Sequence, residues 1–177
     1  MKEIRLANYN DIKQIMDVIC DAKKYLKSQN SLQWNLEDGY PSIDTFKDDI
    51  NKKQCYVYLI DNKIVATMTI VKEKDINYQQ IYEGNWLSNG TYYSIHRIAV
   101  SNDFHHKNIG VELLNYAIVI GKKEGINSIR IDTHKQNIPM INTLSKTGFK
   151  YCGIIVLSRT KKDKYRNAYE YIIKADL

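Results

Sequence analysis

The stretch Tyr92–Leu114, YYSIHRIAVSNDFHHKNIGVELL, constrains the fold of this chain more than any other. Its apolar run Ile95–Val100 reads as a buried strand, and Ser101–Asn108 reads as a short polar turn. Ile109, Leu113, Tyr116, Ala117 and Ile120 then recur at helical spacing. A strand that turns directly into a helix aims several backbone N–H groups at one point beside the positive end of the helix dipole. Such a point binds anions, and phosphates above all.

The flanking elements follow from local signals. Residues 3–7 read as a first strand, and Asp11–Ser28 as a helix with a stripe of Ile12, Ile15, Met16, Ile19 and Leu26, capped by Asn8 or Asn10. Ser42 is placed to cap a second helix from Ile43 to about Asn51. Cys55–Ile60 and Ile64–Val71 form a hairpin through Asp61-Asn62-Lys63. Gly125 ends the central helix in a left-handed cap, and Ile129–Thr133 is the next strand. Pro139 opens a helix that runs to Thr147 and ends at Gly148. Tyr151–Leu157 and Asn167–Lys174 close the chain as two strands joined by the basic turn Arg159–Lys164. The order is β-α-α-β-β-β-α-β-α-β-β, an α/β sandwich around a mixed sheet.

Two segments resist a periodic reading. Residues 29–41 are polar, with Trp34, Leu36 and Tyr40 among them. Residues 72–91 hold Tyr78, Tyr82, Glu83 and Trp86, and a connection that long is usually functional or flexible. One reading has the two segments framing a binding pocket, with Glu37, Asp38 and Glu83 supplying acidity to it. The other has an aromatic flap that only covers core.

The segments around Tyr92–Leu114 resemble the GNAT acetyltransferase superfamily. RIAV followed by a loop and an amphipathic helix is similar to that family's acetyl-CoA-binding segment, whose loop reads Gln/Arg-x-x-Gly-x-Gly/Ala. His105, Asn108 and Gly110 stand at the patterned positions, so only the last glycine is kept, and Asn tolerates positive φ better than most residues. Ile129–Cys152 resembles the family's fifth strand, fourth helix and Gly-Phe turn, with Asn137 after the strand and Lys146–Phe149 closing the helix.

The resemblance implies a single domain over 1–177 with the GNAT acyl-CoA N-acyltransferase fold, a mixed, mostly antiparallel central sheet flanked by helices. It implies an N-acetyltransferase that moves the acetyl group of acetyl-CoA to a primary amine, on a small molecule or a peptide, in a ternary complex. The backbone of Ile98, Ala99 and Val100 would pair with pantetheine. The amides of His105, His106, Lys107, Asn108, Ile109, Gly110 and Val111 would hold the pyrophosphate, and Asn137 would contact the cofactor arm. His96 is the candidate general base, with Asp132, Glu83 and His134 as rivals; a buried His satisfied by hydrogen bonds is the plain alternative. The family's usual acid is a Tyr five residues before the Phe of Gly-Phe, which here is Leu144. That departure keeps a second reading open, an acyl-CoA-binding sensor with little catalysis.

Composition bounds the rest. The chain has 177 residues, is 44% hydrophobic and 26% charged, and carries a net charge of +6. No apolar run is long enough to span a bilayer, and the first residues lack a signal-peptide core. Lysines are spread along the chain instead of gathered in a patch, which argues for no nucleic-acid partner although the charge raises the question. Cys20, Cys55 and Cys152 have no CxxC spacing and read as core filler in a reducing cytoplasm. His105-His106 lacks partners at metal-ligand spacing, so no metal site is expected. Monomer and homodimer are both compatible with the chain.

Overall fold

The computed structural model describes residues 1–35 and 39–174. Seven strands and four longer helices follow the expected order. They are β1 (Lys2–Leu6), α1 (Ile12–Ser28), α2 (Ile43–Asn51), β2 (Cys55–Ile60), β3 (Lys63–Val71), β4 (Tyr92–Val100), α3 (Ile109–Lys123), β5 (Ser128–Thr133), α4 (Ile138–Lys146), β6 (Lys150–Val156) and β7 (Tyr165–Ile172). The strands form one sheet in the order β1-β2-β3-β4-β5-β7-β6. β1–β2, β2–β3, β5–β7 and β6–β7 pair antiparallel, while β4–β5 pair parallel from Tyr92↔Ser128 to Ile95↔Ile131.

The chain divides into two compact units, residues 1–70 with 97–113 and residues 71–96 with the chain from Leu114 onward. In the first unit the core gathers Ile15, Val18 and Ile19 of α1, Phe46 of α2, Cys55, Val57 and Leu59 of β2, Ile64 of β3 and Ala99 of β4. Asn8 caps a 3₁₀ turn (Tyr9–Asp11) that leads into α1, and Asp11 returns the bond by accepting from the Asn8 N–H at 2.8 Å. Arg5 binds the same carboxylate at 2.7 and 3.0 Å. Ser42 caps α2 as expected. Asp61 and Asn62 both take positive φ, 49° and 66°, the pairing a two-residue hairpin requires. Trp34 packs against this core, whereas Glu37 and Asp38 lie outside the described residues.

In the second unit Tyr78, Ile155, Leu157 and Ala168 form a core, with Ile81, Trp86 and Tyr92 packed against it. Beneath them lies a buried ion pair between direct cross-strand partners, Arg130 of β5 and Glu170 of β7. Gly125 and Gly148 take the left-handed conformation expected after α3 and α4, φ 73° and 84°.

Two expectations are corrected, and β4 carries one irregularity. β4 begins at Tyr92 and not at Ile95, because Tyr92–Ile95 pair with β5 although their side chains are mixed in polarity. Cys20 is exposed on α1, while Cys55 and Cys152 are buried. Arg97 has φ 51° inside β4, so regular alternation along that strand is interrupted there.

Three carboxyls tie folding to pH. Arg5 holds Asp11 below its ordinary value. Burial works to raise Asp75 and Glu170. For Asp75 the hydrogen bonds from His96 and Asn77 outweigh it, and for Glu170 those from Ser128, Ser88 and Arg130 do so. Each carboxyl thus ends below its ordinary value, and the unfolded chain takes up these protons first. Their stabilisation is therefore complete above about pH 5 and declines as pH falls below about 4. Urea midpoints measured from pH 7 to pH 3 should be level and then drop; a midpoint unchanged at pH 3 would contradict the assignment.

Candidate active site

The residues that the resemblance singles out fall in two sets, one in each unit. In the first, β4 runs into the turn 101–108 and then α3. The Ser101 N–H donates to Val65 O at 2.8 Å, and a 3₁₀ turn (Asn102–Phe104) follows. His106 and Asn108 then take positive φ, 65° and 58°, with Lys107 between them. A backbone whose handedness changes along a short turn can bring successive N–H groups toward one concavity, and His105, just before these residues, is extended (φ −58°, ψ 154°). The first turn of α3, from Ile109, adds N–H groups that an α-helix leaves without intrahelical partners. Lys107 holds its ammonium 4.8 Å from the Phe104 ring centroid. Asn108 thus takes a left-handed conformation at the position where the family pattern has glycine.

The His105 side chain does something the sequence did not indicate. Its Nε2 lies 3.2 Å from Val100 O, a pure acceptor, so that nitrogen carries the hydrogen. The ring also meets the edge of Tyr25 at 4.9 Å. His105 therefore fastens the turn to the end of β4, and its imidazole donor is already engaged there. Ile98 and Val100 are half-buried, while Ala99 and Ile109 face core. Arg97 makes two bonds to Asp49, at 2.7 and 2.8 Å, and one to the Tyr40 hydroxyl at 2.7 Å, a structural ion pair.

In the second unit the titratable candidates separate by their partners. His96 Nε2 lies 2.7 Å from Asp75 Oδ2, and its ring is 5.9 Å from that of Tyr78. The Tyr78 hydroxyl, fully buried, donates to Asp132 Oδ1 at 2.6 Å; burial and the Asp132 charge push this phenol well above its usual value. Tyr78 thus neighbours both His96, through its ring, and Asp132, through its hydroxyl.

His134 and Glu83 lie elsewhere in that unit. His134 Nδ1 accepts from the Gln136 N–H at 3.1 Å, and its Nε2 therefore donates to Asp163 at 2.9 Å. Both ring nitrogens are occupied, which leaves no lone pair for a substrate proton. Glu83, at φ 55°, is exposed beside a cleft of about 320 Å³ that His134, Lys135, Asp163 and Tyr165 also line. A bridge between Tyr82 and Ile154 of β6 holds it there. Asn137 caps α4, accepting from Met140 N at 3.3 Å. Leu144 is fully buried.

Asp75 was missed by sequence reasoning. Asp75-Ile-Asn77 carries a turn signal, since its carboxylate accepts from the Asn77 N–H at 2.8 Å, but nothing local announces a partner 21 residues away. Among the described residues no three His, Cys, Asp or Glu side chains are grouped to hold a metal, and no helix is long and apolar enough to cross a membrane.

Comparison with known proteins agrees with this architecture. The profile of the Acetyltransferase (GNAT) family matches residues 21–149. A GNAT-family acetyltransferase from Streptococcus agalactiae is 34% identical, with a TM-score of 0.88 over 98% of this chain and 96% of that one. A GNAT-family acetyltransferase from Listeria monocytogenes is 21% identical (TM-score 0.72; 97% and 94% covered). The PaiA N-acetyltransferase of Thermoplasma acidophilum, solved with coenzyme A, is 19% identical (TM-score 0.70; 97% and 99% covered), and these two show the shared fold alone. No curated protein matches the chain. With the family profile covering well over half of its length and one relative a third identical from end to end, the chain belongs to the GNAT family and is an acetyltransferase.

Proposed function

We propose that the protein transfers the acetyl group of acetyl-CoA to a primary amine, on a small molecule or a peptide, by direct attack in a ternary complex. The observation that carries the cofactor half is the pair of left-handed residues, His106 and Asn108, at the start of α3. Backbone N–H groups from His105 to Val111 would hold the pyrophosphate, and Lys107 adds a positive charge beside it. The backbone of Ile98–Val100 would receive pantetheine as an added strand, and Asn137 would meet the cofactor arm. Acetyl-CoA supplies the activated acyl group; the chain's own part is to hold it and to take a proton from the amine.

His96 is the group we assign to that proton. Asp132 already accepts from Tyr78, His134 has both nitrogens engaged, and Glu83 is solvated at the cleft rim. His96 is partly exposed and keeps one ring nitrogen, Nδ1, outside its contact with Asp75. No side chain need protonate the departing sulfur, because a thiolate leaves readily; this makes the buried Leu144 compatible with turnover.

Calorimetric titration with acetyl-CoA tests the reading. Wild-type protein should bind with a dissociation constant of about 1–100 μM, and dephospho-CoA should bind in the same range if the pyrophosphate is the main anchor. Gly110→Trp should abolish both, with circular dichroism unchanged. No binding at millimolar acetyl-CoA would overturn the cofactor assignment.

A further inference from the structure

The pairing of His96 with a carboxylate from the 72–91 segment has a chemical meaning that neither residue carries alone. Asp75 is 11% exposed and His96 21%, so the 2.7 Å contact between them is largely shielded from water. Asp75 is itself fixed. Its second oxygen accepts from the Asn77 backbone N–H at 2.8 Å and from the Asn77 amide at 3.2 Å, and its own N–H donates to the Tyr92 hydroxyl at 3.2 Å. Tyr78 stands over the imidazole, with Asp132 beyond it. Asp75, Tyr78, Tyr92 and Asp132 are thus the ionisable groups around the ring.

We propose that Asp75 is the positioning residue of the reaction, holding His96 in the tautomer that leaves Nδ1 to accept the proton of the amine. The proposal rests on the reading of His96 as the base. An ionised carboxylate only accepts, so Nε2 must carry the hydrogen that lies between the two groups, and the ring's lone pair is on Nδ1. When Nδ1 takes the ammonium proton, the ring becomes a cation and its Nε2–H stays on Asp75. The nitrogen's freed electron pair forms the bond to the acetyl carbon. The carbon–sulfur pair leaves with sulfur, and the second proton on the acylated nitrogen passes through water to that thiolate, giving the neutral amide and the thiol. Asp75 remains ionised throughout, its charge facing the new imidazolium.

Asp75→Asn separates this role from a merely structural one. Asparagine keeps the oxygen that accepts from Asn77 and caps the turn equally well. Its amide, however, turns N–H toward His96 Nε2, which drives the ring hydrogen onto Nδ1, the atom that must be empty. Long-range ¹H–¹⁵N spectra, with His96 assigned through His96→Gln, should show the hydrogen on Nε2 in the wild type and on Nδ1 in Asp75→Asn. The same tautomer in both proteins would overturn the proposal, whatever the acceptor.

Thiol release with 1,4-diaminobutane and with glycylglycine gives the second readout. Asp75→Asn should lower kcat by about 10²-fold or more, leave KM for acetyl-CoA unchanged and move the acidic limb of kcat/KM to lower pH. A uniform loss at every pH with a raised KM would mark Asp75 as structural and overturn the proposal. Should the spectra change as expected while His96→Gln keeps full turnover, the reading of His96 as base is what fails, and Asp75 then orients a ring outside the chemistry.

Discussion

Glu170→Ala should lower stability by about 3–5 kcal/mol. Glu170 is fully buried and accepts hydrogen bonds from Arg130 Nε at 3.0 Å, from the Ser88 and Ser128 hydroxyls, and from the backbone N–H groups of Leu87 and Ser88. Removing it leaves those donors dry and strands the Arg130 guanidinium, which is 4.3 Å from the Trp86 ring and 4.0 Å from the Tyr92 ring. A buried cation without its partner costs far more than the pair contributes over an apolar substitute. The double replacement Arg130→Met with Glu170→Met should recover only part of the loss, because Leu87, Ser88 and Ser128 would still face an apolar side chain. Urea unfolding measures all three proteins; a loss under about 1 kcal/mol for Glu170→Ala would mean that water reaches the site after all.

His96→Gln should reduce kcat by about 10²–10⁴-fold, the range for removing a general base, while leaving the calorimetric affinity for acetyl-CoA as it was. Glutamine retains an amide that reaches toward Asp75 but offers no group that gains a proton near neutral pH. The cofactor turn and its His105 fastening belong to the other unit, so they are not expected to register the change. Raising the pH should recover part of the rate, because an amine that is already neutral needs no base. A variant with wild-type kcat at pH 7 would remove His96 from the mechanism, and a protein with no turnover in either form but intact acetyl-CoA binding would favour the sensor reading.

The elements were legible where one residue carries one instruction. Asn8, Ser42, Gly125 and Gly148 punctuate helices through local bonds or a local φ, and each does so here. Asn108 was readable for the same reason, since its residue type tolerates the conformation that the turn requires. Left-handed φ at Arg97 was not, because arginine has no preference for it and the chain around it imposes it. The site was less legible than the fold. His96 stood out by its chemistry, whereas Asp75 gains its importance from a contact across 21 residues of segment without periodicity. No local signal singles out Glu170 in its strand, and its partner is visible only once β5 and β7 are in register.

The mooring of the 72–91 segment also bears on how sequences of this kind can diverge. Tyr78 and Trp86 are bound into core, Ser88 and the Leu87 amide are bound to a buried carboxylate, and Asp75 is bound to β4. Ile76 and the Leu87 side chain, 70% and 50% exposed, are held by none of these bonds. Drift along the segment should therefore be interleaved, with permissive positions lying one residue away from positions that tolerate nothing. A lineage exploring new acceptors could repaint the outer surface of the segment freely, yet each inherited anchor would have to pass unchanged through every intermediate sequence.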